Sequence, residues 1–212
     1  MNQKMQKFCN EKKEHPDHYT EIKLKDLKTP ITVLLGPNGT GKSMSIHLMK
    51  TECKQKNIKF ASYSTSKDDI VGKSAPAFGD WNIYGLSCAF HSEGERMCDS
   101  FYEWSNKDFL RALLEDKECP VYIFIDEADS GLSIDRIIQS LRPIINIIEM
   151  DSKKRDLHVV FTCNSYELLQ VLQSDITTCI WVPTKEEVHI HSYEDFAYRY
   201  LDYCEEMHVE EE

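Results

Sequence analysis

Gly36-Pro37-Asn38-Gly39-Thr40-Gly41-Lys42-Ser43 follows the apolar run Ile31-Thr32-Val33-Leu34-Leu35 and precedes a segment of helical character over residues 44–56. Strand, glycine-rich loop, helix is the context that a phosphate-binding P-loop requires. Glycines let the backbone curl until successive N–H groups point inward at an anion. The helix that starts there adds the positive end of its dipole. In this arrangement Lys42 reaches the β- and γ-phosphates of a nucleoside triphosphate, and the Ser43 hydroxyl ligates Mg²⁺. Residues 36–43, with Met44 at the helix start, are therefore the expected nucleotide cradle.

Working outward, residues 20–24 alternate polar and apolar and predict a half-buried strand that feeds the loop. Tyr19 before it is a packing residue or a stacking partner for adenine. Residues 58–63 predict a second strand, and 72–86 form the longest irregular stretch. A helical run follows over 90–116, with Phe101, Trp104, Phe109 and Leu113 on one face. Val121-Tyr122-Ile123-Phe124-Ile125 is nearly continuous in apolar residues, as a strand covered on both faces should be. The next helix spans 134–150, with Pro143 expected to kink or divide it. Strands over 157–162 and 177–182 enclose a short helix at 167–172, and an aromatic-rich helix closes the chain over 193–204. Strands alternating with helices predict an α/β fold of the P-loop NTPase type, a mostly parallel sheet flanked by helices with a short N-terminal β region. The expected organisation is a flexible N-terminus (1–18), one domain (19–204) and an acidic tail (205–212).

Composition narrows the function. The 212 residues carry 25 Lys plus Arg against 36 Asp plus Glu, a net charge of −11. Such a chain is poorly suited to nonspecific DNA coating, which depends on many cation–phosphate contacts. Lys50, Lys54, Lys56 and Lys59, or Lys153-Lys154-Arg155, are either a local basic patch or an ordinary solvated face. The eight cysteines are scattered and include no C-x-x-C pair, the usage of a reduced, cytoplasmic protein. No apolar run is long enough to span a membrane.

The apolar strand at 121–125 ends in Asp126-Glu127. Two carboxylates at the end of a buried strand beside the P-loop strand form a Walker B element. Asp126 supports Mg²⁺ and Glu127 orients and polarises the attacking water. Ser92-Glu93-Gly94-Glu95 has the S-x-x-E spacing of a capping box and opens the helical run.

In this order, Gly36 to Ser43, Ser92 to Glu95, Asp126-Glu127 and Ser130-Gly131-Leu132-Ser133 resemble an ABC-type ATPase domain. The resemblance is to the soluble, non-transporter branch, the AAA-ATPase-like proteins of phages and bacteria related to SMC and recombination-repair ATPase heads. It covers residues 20–182. It implies ATP and Mg²⁺ as ligands and an ATP-sandwich homodimer in which Ser92 and Gly94 meet nucleotide held at Lys42 of the other copy. It also implies a setting in DNA metabolism or phage–host interplay, with DNA or another protein as partner. The chain departs from the pattern in four places. Glu93 replaces one of two adjacent signature glycines, and Ser133 stands where an Asp is usual. Asn164 occupies the position of the switch histidine, and no glutamine lies between Gln55 and Gln139. Asn164 can hydrogen-bond a γ-phosphate but cannot carry a proton. The departures imply slow turnover. The expected function is thus an ATPase that switches partners. Its rivals are a nucleotide-dependent switch with negligible turnover and, less favoured, a small-molecule kinase.

Overall fold

In the computed structural model β1 (Ile31–Leu35) is buried along its whole length. The structure describes residues 22–64, 93–114, 119–129 and 133–209. β1 leads through the P-loop into α1 (Lys42–Gln55), after which come β2 (Phe60–Ser64), α2 (Glu93–Trp104), a π-helical turn (Ser105–Phe109) and α3 (Leu110–Leu114). The chain continues with β3 (Val121–Asp126), α4 (Ile134–Asp151), β4 (Leu157–Cys163), α5 (Tyr166–Leu172), β5 (Thr177–Trp181), β6 (Glu186–Val188) and α6 (Tyr193–Val209). These strands form one sheet in the order β2-β3-β4-β1-β5-β6, parallel except for β6, which pairs antiparallel with β5. The α/β class and the mostly parallel sheet expected from the sequence are what the chain adopts.

Alternation along the strands divides the core between the two faces. Leu34 of β1, Phe124 of β3 and Val160 of β4 pack with Ile46, Met49 and Cys53 of α1. Ile31, Val33 and Leu35 face the other way, into the layer built by α2, α4, α5 and α6. Helices on both faces explain why the central strands are apolar without interruption.

Four local expectations need correction. The strand expected over 20–24 begins outside the described residues, and Leu24–Asp26 form a 3-10 turn instead. The Asp26 carboxylate accepts the Lys23 N–H at 2.8 Å, which closes that turn, while Ile22, Leu24 and Leu27 bury against the α1 face. Pro143 does not divide its helix, because α4 runs unbroken for 18 residues. The proline lies on the exposed side, where water can satisfy the carbonyl that its missing N–H leaves free. Finally, α6 continues through Val209, past the Cys204 end expected for it. The fourth correction concerns the two motif-bearing strands. β3 is not beside β1, because β4 hydrogen-bonds to both and lies between them.

Phe101, Trp104, Phe109 and Leu113 are all buried, as their helical pattern predicts. The step of five residues from Trp104 to Phe109 would rotate an α-helix off its apolar face. The π turn over Ser105–Phe109 absorbs the extra residue and keeps both rings inward.

Candidate nucleotide-binding site

The P-loop leaves the carboxyl end of β1, the end of an open α/β sheet where ligands bind. Gly36, Gly39 and Gly41 have φ of 148°, 89° and 96°. Those values lie in the region that disfavours a Cβ. At Gly36 a Cβ would also stand 2.8 Å from the Thr40 hydroxyl oxygen. The loop is braced internally by Thr40, whose hydroxyl donates to the Pro37 carbonyl at 2.9 Å. Gly41 caps α1, and its carbonyl accepts from the Ser45 amide and hydroxyl.

Lys42 is 6% exposed. Its ammonium donates to the carbonyls of Gly36 and, at 3.0 Å, Pro37. Burial lowers its pKa, against the opposing pull of the Cys163, Asp129, Asp126 and Glu127 side chains around it. Met44, at the start of α1, is 54% exposed.

Although β4 intervenes, Asp126 at the end of β3 reaches the loop. Its Oδ1 accepts from the Ser43 hydroxyl at 3.1 Å. The same oxygen accepts from the Thr162 hydroxyl at 2.7 Å. Thr162 in turn accepts the Glu127 N–H at 2.7 Å. Glu127 has φ of 56°, left-handed backbone that is uncommon for a residue with a side chain. Its amide bond to Thr162 holds it there, one residue beyond the strand. One buried threonine of β4 thus fixes both carboxylate-bearing residues of the motif.

Asn164 directly follows β4. Its N–H donates to Asp129 Oδ2 at 3.0 Å. Asp129 Oδ1 is buried and has no hydrogen-bond partner among the described residues. The structure therefore links Ser43 of the loop with Asp126 and Glu127, all named from sequence, and sets Asn164 against Asp129. It adds Thr162, Asp129 and Tyr200, which were not. A threonine in an apolar strand is the one sequence signal that could have drawn attention to Thr162.

Ser92, Tyr19 and Ser130-Gly131-Leu132 lie outside the described residues. Gly94 is in the first turn of α2, whose Phe101 and Trp104 pack on Tyr63 of β2, on the far side of β4 and β3 from β1. Of the proposed basic clusters, Lys56 is ion-paired with Glu52 at 2.6 Å. The Arg155 side chain is 3% exposed and ion-paired with Asp151 at 2.8 Å, so it belongs to no open patch. Among the described residues no group of three or more His, Cys, Asp or Glu side chains forms a metal cluster, and no helix is long and apolar enough to cross a membrane.

Whether the loop fits a magnesium nucleotide can be judged from its donors. The curl of positive-φ glycines, the helix N-terminus and the buried ammonium are an anion site. Beside them a hydroxyl and a carboxylate oxygen converge, both hard oxygen ligands of the kind Mg²⁺ takes. The residues fit.

A mostly parallel sheet with this loop after β1 and paired carboxylates after β3 defines a P-loop NTPase. The chain belongs to the AAA family, described as the ATPase family associated with various cellular activities, whose model matches residues 32–178. That match spans the P-loop strand, Asp126-Glu127, Asn164 and the start of β5. Among solved structures, Rhizobiales Trip13 is similar at 14% identity with a TM-score of 0.33. The likeness covers 82% of this chain, which spans 55% of that one. No curated protein matches.

Proposed function

We propose that this chain binds ATP at the P-loop, hydrolyses it with Mg²⁺, and closes on a second copy of itself while ATP is bound. The observation that carries the reading is the linked set Ser43–Asp126–Thr162–Glu127, with donor–acceptor distances of 3.1, 2.7 and 2.7 Å. It supports the reading because it ties Ser43, Asp126 and Glu127, the residues we assign to the metal and to the general base, to the phosphate loop.

Lys42 and the loop amides hold the phosphates, and Ser43 and Asp126 hold the metal. When bound, Mg²⁺ offsets charge on the phosphates. Glu127 orients a water and takes its proton as the water oxygen bonds to the γ-phosphorus. The bond from that phosphorus to the bridging oxygen breaks, leaving ADP and phosphate. Asn164 contacts the γ-phosphate through its amide, as a neutral donor.

The form of self-association we favour is the ABC-type sandwich, with Ser92 and Gly94 of one copy meeting nucleotide at Lys42 of the other. Partner switching in DNA metabolism or in phage–host interplay rests on the family resemblance alone.

Phosphate release and light-scattering mass, measured on the wild type and on Glu127→Gln with and without Mg-ATP, test this. Loss of the base should lower turnover by at least about a hundredfold while ATP binding persists. The mass should double only with ATP. Unchanged turnover in Glu127→Gln would remove Glu127 from its role. Bound ATP with unchanged mass would remove the self-association and leave the ATPase. Wild-type protein that binds ATP without releasing phosphate would be a nucleotide switch.

A further inference from the structure

Tyr200 is 164 residues from Gly36 in the chain, yet its hydroxyl accepts the Gly36 N–H at 3.2 Å and donates to the Gly36 carbonyl at 3.2 Å. Gly36 is the residue at which β1 turns into the phosphate loop. Both of its backbone groups are thus met by one side chain from α6.

The ring that carries this hydroxyl is firmly seated. It packs against Phe196 at 4.5 Å between centroids and edge-on to Trp181 at 5.1 Å. Trp181 closes β5 directly opposite Leu35, the last residue before Gly36. Arg199, the neighbour of Tyr200 on α6, lies over the Trp181 ring, 5.5 Å from its centroid. Strand end, helix and loop therefore meet at one aromatic junction. Burial raises the phenol's pKa, so the proton it donates is retained at any physiological pH.

The Gly36 carbonyl has a second donor, the Lys42 ammonium. For Lys42 to engage phosphate it must give up carbonyl contacts, and a buried carbonyl left without a donor costs free energy. Tyr200 keeps the carbonyl satisfied through that exchange. It also holds the Gly36 amide in the curled conformation that aims the loop inward.

We propose that Tyr200 is a positioning residue that holds the mouth of the P-loop ready for triphosphate, so that docking of α6 sets the affinity for ATP. The proposal rests on the reading that this loop takes ATP. It makes the closing helix part of the site without requiring it to touch nucleotide.

Tyr200→Phe removes the hydroxyl and keeps the ring. Tyr193→Phe makes the same change elsewhere on α6, at a residue 59% exposed, and serves as the control. Mg-ATP affinity is measured by calorimetry, and amide hydrogen exchange is followed in the apo proteins. Tyr200→Phe should bind Mg-ATP about three- to tenfold more weakly, the yield of one net hydrogen bond. Exchange should quicken in the peptide containing Gly36 and stay unchanged in β3, and Tyr193→Phe should match the wild type in both. Equal or tighter binding by Tyr200→Phe would overturn the proposal. So would faster exchange along α6 with none at the loop, the mark of a residue that only packs. A wild type that fails to bind Mg-ATP would overturn the underlying reading as well, and is distinguished by that arm alone.

Discussion

Replacing Thr162 by Val tests the central hydrogen-bond chain with almost no change in shape. Thr162 is fully buried, and a second methyl takes the place of its hydroxyl. Two bonds of 2.7 Å disappear together, one to a carboxylate and one from the Glu127 amide. A hydrogen bond to a charged group contributes about 1.5–3 kcal/mol, and an amide left without its acceptor costs about 1–3 kcal/mol. The added methyl recovers roughly 0.8 kcal/mol by burial. The net expectation is a loss of about 2–5 kcal/mol, equivalent to a fall in Tm of roughly 4–20 °C for a domain of this size. Glu127 also loses the contact that holds its left-handed backbone, so ATP turnover should fall further than ATP affinity. Thr162→Ser, which keeps the oxygen, should recover most of both. Thermal unfolding and phosphate release on the three proteins decide the matter. A Tm within about 2 °C of wild type for Thr162→Val, with turnover intact, would show that the chain of bonds does not position Asp126 and Glu127.

Two further predictions concern titration. Burial lowers Lys42 below its ordinary value of 10.5, so the folded state binds fewer protons there than the unfolded chain does. Its penalty is present in full below the lowered pKa and fades as pH rises toward 10.5. The unfolding free energy of wild type minus that of Lys42→Met should therefore increase with pH on the alkaline side, and a flat or falling difference would contradict the assigned burial effect. Among the cysteines, Cys119 and Cys204 are exposed whereas Cys53, Cys163 and Cys179 are buried. Burial pushes Cys53 and Cys179 up from 9.0 to about 11 and Cys163 well above 9.0. Alkylation at pH 8 followed by peptide mapping should modify Cys119 and Cys204 first. The buried thiols should trail by about a hundredfold from the loss of thiolate alone, and comparable rates would refute the burial.

The parts of the site that were legible in the sequence are those whose chemistry is carried by neighbouring residues. The P-loop is such a case, because Gly36, Gly39 and Gly41 are demanded by local backbone angles. Asp126 and Glu127 are another, since a buried strand must end before two carboxylates can face solvent or a ligand. The helical face of Phe101, Trp104, Phe109 and Leu113 was legible for the same reason, although the π turn that makes it work was not. Strand order was a different matter. Nothing in the apolar run at 121–125 or at 157–162 states which of them lies next to β1, because both are apolar on both faces. β6 was missed because three residues with two consecutive glutamates carry no strand period.

Strand order in turn decides what Thr162 and Asn164 do. With β4 between β1 and β3, the end of β4 faces the P-loop on one side and Asp126 on the other. A polar residue there can bond to the carboxylate strand. Thr162 and Asn164, two residues apart, both bond in that direction, Thr162 to Asp126 and Asn164 to Asp129, so the intervening strand ties Asp126 and Glu127 to the loop through Ser43. Tyr200 extends the same logic to the opposite flank. β5 lies on the other side of β1, and Trp181 at its end seats the ring whose hydroxyl holds Gly36. The phosphate loop is thus held from both neighbouring strands, by Thr162 through Asp126 and Ser43 on one side and by Tyr200 on the other. If that account is right, Thr162→Val and Tyr200→Phe act on opposite ends of one loop and share no partner. Their effects on Mg-ATP affinity should then add to within about 0.5 kcal/mol in the double variant, whereas a larger discrepancy would mean that the loop moves as a single coupled unit.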